Sequence, residues 1–399
     1  MLNAFDSLKS NIVNKTSFAI AEKMGLPTFK DELWKYTRAK KFLSEDYSLY
    51  SNEDAKEVSE LVKAYSDANL IVFLNGKYLS SVSVVKDENL KLEVANDKRE
   101  GEFTHFFSAM NSAFSNEGVT VSVGKNKKLN FPVRVLYVST KSSKEVYAPL
   151  ASKFELESGA EAVVVEEFVS LEENANFTSL RNKFSVGANG VLKHYVIQRD
   201  SMSSKVLSDT SADVHADARY EEYVLSLGAS ISRFDLEVNM KESGSESIFD
   251  CFYGVKDKQH TDHHTKVNHL VAHTSSKQLY KGILDDSARA VFNGKVIIIK
   301  DAQKTDAEQL NKNLMLSDKS EIDTKPEMMI DADDVKCAHG AAIGQMNEDE
   351  VFYLKSRAIS DKDARALLSR GYALETLSRV SDVNLKKEMA QLIRQYLEN

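Results

Sequence analysis

Gln278-Leu279-Tyr280-Lys281-Gly282-Ile283-Leu284, Ser287-Ala288-Arg289-Ala290-Val291-Phe292-Asn293-Gly294-Lys295 and Val296-Ile297-Ile298-Ile299 follow one another almost without interruption. β-Branched and aromatic residues (Tyr280, Ile283, Val291, Phe292 and Val296 to Ile299) recur in them in runs too short for helices, which is strand chemistry. The same signal extends outward from this stretch. Val119, Val121 and Val123 alternate with Thr120, Ser122 and Gly124, and Val133, Val135, Tyr137 and Ser139 continue the alternation. Ala162-Val164-Glu166 and Val191-Lys193-Tyr195-Ile197 keep the period at two. From about residue 118 to 344 no long helix interrupts the pattern. Antiparallel sandwiches spend Gly and Pro on many short turns, whereas here the turns are clusters of Asn, Asp, Ser and Lys, and proline is almost absent. A solenoid fits this usage. No fixed repeat is visible, so periodicity alone does not choose between solenoid and sandwich.

Both ends read differently. Phe5, Leu8, Ile12 and Phe18 fall at helical spacing, and Gly25 with Pro27 ends that helix. Trp34 and Tyr36 lie in Leu33-Trp34-Lys35-Tyr36-Thr37 and are expected to anchor a core. Asn75-Gly76 between Ile71–Leu74 and Tyr78-Leu79 predicts a hairpin. At the other end Asn347 precedes an acidic first turn and Ser360 opens a second helix that Gly371 interrupts or ends. Leu385, Met389, Leu392, Ile393 and Tyr396 form an amphipathic stripe. Such terminal helices either cap a solenoid end or dock a partner.

Composition sets the limits. At 399 residues the chain is long enough for two or three domains, and its 42% hydrophobic and 28% charged residues are those of an ordinary folded protein. A net charge of −8 argues against a general nucleic-acid binder. Two cysteines, Cys251 and Cys337, exclude a disulfide framework and point to a reducing compartment. No membrane-spanning run and no secretory signal are visible, so the expected location is cytoplasmic.

Two constellations could carry chemistry. Cys337 and His339 stand two apart in a strand-like run, which puts both on one face with Cα atoms roughly 6.6 Å apart. Thiolate and imidazole are suitable ligands for iron and for iron–sulfur clusters, but a cluster usually wants four ligands. With one cysteine in a plausible place and no C-x-x-C, this chain cannot hold a cluster alone. The second constellation is His260, His263, His264, His269 and His273 with Asp262 interleaved. Parity puts His263, His269 and His273 on one face; a mononuclear metal site and structural polar stacking are the two readings, and stacking is favoured because no H-E-x-x-H spacing is present. Gln303, Lys304, Thr305, Asn311 and Asn313 are polar strand positions suited to side-chain ladders on successive turns. No Walker A, G-x-G-x-x-G or G-x-S-x-G motif occurs, so any ATP hydrolysis belongs to another chain and no enzymatic activity of its own is expected.

The succession Gln278–Leu284, Ser287–Lys295, Ala302–Ala307, Asn311–Ser317, Thr324-Lys325-Pro326, Ala332–Ala341 and Phe352–Arg357 resembles the SufB/SufD family of the SUF iron–sulfur cluster assembly system. Cys337-Ala338-His339-Gly340 and Trp34-Lys35-Tyr36-Thr37 are similar to the SufD branch. Pro326–Ile330 and Ala341-Ala342-Ile343 depart modestly from the family pattern while keeping its apolar positions. The resemblance implies a mainly β fold, a right-handed parallel β-helix core flanked by helical domains, divided here as 1–100, 101–345 and 346–399. It implies a scaffold subunit that pairs with a SufB-like chain and binds a SufC-like ATPase through its C-terminal helices, with Phe352, Tyr353, Leu354 and Arg357 as the docking residues. A nascent iron–sulfur cluster would be shared at the SufB–SufD interface, where His339 matches the SufD histidine and Cys337 the cysteine beside it. Reduced flavin in the assembled complex is a further family-level expectation that no motif here carries. A homodimer of the isolated chain, a purely structural clamp that ligates nothing, and a metal-dependent enzyme built on the His260–His273 run stay open as alternatives.

Overall fold

The computed structural model describes residues 3–44, 46–50, 55–94 and 103–398. The chain alternates between two sheets as it advances, so each strand pairs not with its sequence neighbour but with the one after it. One sheet runs from the hairpin Asn69–Leu74/Lys77–Tyr78 to Lys336–Gln345, and the other from Leu90–Val94 to Glu321–Ile330, ten strands each. Beyond the two antiparallel pairs at the start, all pairing in the two sheets is parallel and in register. This is a parallel β-solenoid between helical ends. Parallel strands bury both faces and therefore need cover on both, which accounts for the rest of the architecture.

Turn length explains why no repeat was visible. From one strand to its partner above, the chain takes 26 residues between Lys205 and Ile231 but 32 between Arg289 and Glu321. The variation is absorbed at the corners, where Asn126, Asn189, Asp217, Asp257 and Asp286 adopt positive φ. Asn and Asp tolerate the left-handed region better than other side chains, so this solenoid turns corners with little glycine or proline. His273 occupies such a corner, with φ 60.

Inside, the early turns are apolar: Val121, Val135, Phe154, Val164 and Phe184 are buried, with the Phe154 and Phe184 rings stacked at 4.6 Å. Outside, each sheet has its own cover. Helix α1 (Lys15–Met24), the 3-10 turns around Trp34 and Phe42, and α3 (Phe106–Phe114), which follows α2 (Ser59–Lys63), lie on the second sheet through Tyr147, Phe177, Leu207 and Ile231. The first sheet is covered by the C-terminal helices: α4 (Glu348–Ser356) leads to α5 (Asp361–Leu374) and α6 (Val383–Glu398), whose Ala373, Leu385, Met389 and Ile393 pack on Tyr195, Tyr223, Phe252 and Ile283. Ion pairs fasten this cover, Arg134 to Glu388 at 2.7 Å and Lys281 to Glu375 at 2.6 Å.

Three expectations need adjusting. The first module, expected to be mixed and mainly helical, also begins the solenoid: Asn69–Leu74, wholly buried, pairs with Val133–Val138, and Leu90–Val94 pairs with Val119–Val123. The expected boundary at residue 100 lies outside the described residues. Gly371 neither interrupts nor ends α5, which runs on to Leu374; its cost of about 1 kcal/mol against alanine is offset by burial of Ala373 just beyond it. The C-terminal helices cover the face of the first sheet rather than its end. That leaves the last turn of the solenoid open.

Candidate functional site

The open turn is where the candidate ligands lie. Lys336–Gln345 pairs only with Asp306–Met315, and Glu321–Ile330 only with Arg289–Ile298, so the outer edges of both carry no strand partner. Cys337 and His339 share the inward face of the former, in register with the buried Ala307 and Gln309. Cys337 is half-buried against the interior cluster and His339 is exposed because no further turn covers it. Partial burial raises the Cys337 thiol above its ordinary range, with the Asp306 carboxylate nearby acting in the same direction. The thiol is therefore protonated at neutral pH, and a metal must displace that proton to bind sulfur.

Behind this mouth the interior is polar. His263 lies between the rings of Phe234 (5.3 Å) and Tyr253 (5.1 Å) and contacts the Thr261 hydroxyl at 3.1 Å. His269 contacts Thr274 and Ser276 at 2.7 and 2.9 Å. Asn311 donates to the Tyr253 hydroxyl, and Asn313 donates to Asn311 at 2.6 Å. The ladder expected at Asn311 and Asn313 is thus a cluster with tyrosine, because Tyr280 rather than asparagine is the register partner of Asn311. A true asparagine ladder does exist, on the outside: Asn268 donates to Asn239 one turn below at 2.8 Å.

The histidine run is split by strand parity. His263 and His269 face inward, and burial depresses both imidazoles to about 4. His260, Asp262 and His264 face outward under the N-terminal module, where Thr37 contacts His260 and Asp262, and His264 is 2.9 Å from Asp262. His273 sits in a corner. Among the described residues no three His, Cys, Asp or Glu side chains are placed to hold a metal ion. The inward and outward members of the run make separate polar contacts and do not converge on one point.

Phe352 and Tyr353 are 72% and 57% exposed on α4, which buries only Val351. Arg357 donates to the Tyr353 hydroxyl at 3.0 Å and lies over its ring. Two large rings thus stand exposed on a helix that packs little, which is unusual for apolar side chains of this size. Trp34, by contrast, is buried against Phe42 and Phe107 with the Arg233 guanidinium 4.1 Å from its ring, which fits a core anchor.

Sequence reading missed two buried charge networks. Arg233 bridges Asp235 and Asp262, and His194 lies between Glu166 and Glu222. Burial would depress the His194 imidazolium, but hydrogen bonds to the two glutamates outweigh it and raise the group to about 9. For the second network, charged residues at inward parity, such as Glu166 beside Val164, were the available signal.

The fold is a parallel β-solenoid covered on both faces, with strand edges in its last turn that carry no strand partner. The family model for the SUF system FeS cluster assembly SufBD core domain matches residues 137–372. An iron–sulfur cluster assembly SufBD family protein of Synechocystis is 30% identical over 96% of this chain and 91% of its own. The iron–sulfur cluster assembly protein SufD of Escherichia coli is 28% identical over 94% and 90%, and that of Bacillus subtilis 26% over 72% and 66%. The chain belongs to the SufBD family of the SUF iron–sulfur cluster assembly system. Among the described residues no helix is long and apolar enough to cross a membrane.

Proposed function

We propose that this chain is the SufD-type scaffold subunit of a SUF assembly complex. Its open terminal turn joins a SufB-type chain, and a nascent cluster is built across that junction as cargo. The observation that carries the reading is the pair of unpartnered strand edges, with His339 exposed and Cys337 half-buried on the inward face of the last strand. Unpaired edges are avoided or covered unless another strand takes them, so the edge calls for a partner at the place where ligands are incomplete. His339 supplies an imidazole to iron and Cys337 is the second candidate ligand; the partner supplies the remainder.

A SufC-type ATPase docks on α4 through Phe352, Tyr353, Leu354 and Arg357. When nucleotide binding brings two ATPase copies together, the pull passes into α5 and α6. These are fastened to the first sheet by Arg134–Glu388, Lys281–Glu375 and Arg379–Asp250. Strain in that sheet reaches its last strand, Lys336–Gln345, and opens the mouth to iron and sulfide. Catalysis belongs to the ATPase; this chain holds and aligns. Reduced flavin would enter only with the assembled complex.

Co-expression with SufB-type and SufC-type chains, followed by anaerobic reconstitution of wild type and His339→Ala, tests the reading. Co-purification of all three with loss of the cluster chromophore in the variant is the expected result. Equal chromophore in both leaves a clamp without a ligand role.

A further inference from the structure

Parallel register stacks Phe249, Gln278, Gln309 and His339 in one inward file, each on the strand above the last. The Thr265 hydroxyl donates to Gln278 Oε1 at 2.8 Å, and Gln309 Nε2 donates to the same oxygen at 3.4 Å. That arrangement spends the amide nitrogen of Gln309 on the turn below and leaves its oxygen without a partner. Gln309 is 1% exposed, and Oε1 has no hydrogen bond. A buried carbonyl left unpaired costs about 1–3 kcal/mol, so this oxygen calls for a donor. Room has been made for the carboxamide: a Cβ on Gly294 would stand 2.1 Å from Gln309 Nε2. Two further buried polar atoms nearby lack a partner: Gln278 Nε2, one turn below in the same file, and Thr324 Oγ1 on Glu321–Ile330. Strands in register are about 4.8 Å apart, so His339 is the nearest in-file neighbour on the open side.

We propose that Gln309 is the positioning residue for His339. When one imidazole nitrogen of His339 ligates iron, the N–H on the other donates to Gln309 Oε1. This rests on the reading of His339 as a ligand. Ligating histidines generally donate their second N–H to an oriented acceptor, which fixes tautomer and ring plane, and losing that acceptor lowers metal affinity roughly 10–100-fold. A neutral amide performs this without adding a negative charge to the buried file. The open mouth is thus pre-set from one turn below.

The test uses the full three-chain complex, reconstituted anaerobically with ferrous iron and sulfide. It reads iron retention against a chelator and the histidine-nitrogen hyperfine coupling of the reduced cluster by pulsed EPR. Gln309→Leu, similar in size but no acceptor, is expected to weaken iron retention roughly 10–100-fold and to change the coupling. Gln309→Glu, which keeps an acceptor of the same length, is expected to restore both. In a His339→Ala background Gln309→Leu is expected to add no further loss. If Gln309→Leu fails to assemble, Gln309→Asn keeps the amide but falls one methylene short, and is read in the same way. Full retention in Gln309→Leu and Gln309→Asn while His339→Ala loses the cluster overturns this inference and leaves the ligand reading intact. Full retention in His339→Ala removes the ligand reading and this inference with it.

Discussion

Arg233→Met should loosen the N-terminal module from the solenoid. Arg233 is fully buried and donates to Asp235 through Nε and Nη2, both at 2.8 Å. Its Nη1 donates to Asp262 at 2.9 Å and to the Leu33 carbonyl at 2.7 Å, and its guanidinium lies against Trp34. One side chain therefore joins two solenoid strands to the loop carrying the only tryptophan. Removing one partner of a buried ion pair costs about 3–5 kcal/mol, and a desolvated cation–π contact contributes about 2. The contributions overlap, so a loss of about 4–6 kcal/mol is expected, comparable with the whole stability of many domains. Trp34 reports the event directly: its emission should shift to the red at lower urea than in wild type, ahead of the circular dichroism of the sheets. pH supplies a second arm. Burial alone would raise the carboxyls of Asp235 and Asp262, but Arg233, with His105 beside the first and His264 beside the second, holds both well below the usual range. Groups with depressed values contribute stability above about pH 4 and lose it only on further acidification, so wild type keeps these pairs at pH 5. Without Arg233 the buried carboxyls take up protons more readily, and the deficit should shrink between pH 7 and 5. A deficit below about 1 kcal/mol with unchanged Trp34 emission, or one that does not vary with pH, would refute the argument.

Two further outcomes are expected. Burial depresses His260, His263 and His269 to about 4, below the unfolded value of about 6.5. The unfolded chain therefore binds protons first, and stability should fall by up to about 3 kcal/mol per histidine as pH drops from about 6.5 toward 4. His194 acts in the opposite direction, its contribution present below about 6.5 and lost as pH rises through about 9; urea midpoints across pH 4 to 10 should show both flanks. Phe352→Ser with Tyr353→Ser should leave the unfolding midpoint within about 0.5 kcal/mol, since exposed positions contribute little, yet abolish retention of a SufC-type ATPase in pull-down.

How far the sequence reaches can be argued from particular residues. Period two in Val119–Val123 and the Asn75-Gly76 hairpin are local signals, and the structure keeps them: Phe73 pairs with Tyr78 across a turn with φ 48 and 85. Solenoid as against sandwich is not local, since it depends on which strand lies above which. The drift in turn length from 26 to 32 residues erased the repeat that would have shown it. Cys337 and His339 were placed on one face by parity alone, and they are. That the face opens at an uncovered turn depends on where the C-terminal helices pack. Gln309 shares parity with Asn311 and Asn313, so its burial was legible; its unpaired oxygen required the neighbouring turns. Arg233 and Asp262 were illegible as a pair because 29 residues separate them in the chain and one strand pairing joins them in space.

The change of interior along the axis bears on what such a scaffold must do. Packing Val121, Phe154 and Phe184 into the first turns gives stability through burial, which is non-directional and tolerates small shifts. The last turns give up part of that stabilisation for Thr265, Gln278, Gln309, Asn311, Asn313 and His269, whose hydrogen bonds hold only at defined distances and angles. Gly282 and Gly294 deepen the same choice: a Cβ on the first would come within 2.1 Å of the Tyr253 ring, and on the second within 2.1 Å of Gln309. A scaffold that only had to remain folded would gain from continuing the valine and phenylalanine packing to its end. One that must present an imidazole at a fixed angle to a partner's ligands needs directional contacts behind it, and needs them most in the turn that no further strand covers. A polar cluster lies in the turns below His339, on the side away from the open edge, besides the His194–Glu166–Glu222 network in the earlier turns. On the reading proposed above, the contacts nearest the open edge are the ones that would hold the His339 imidazole at its angle.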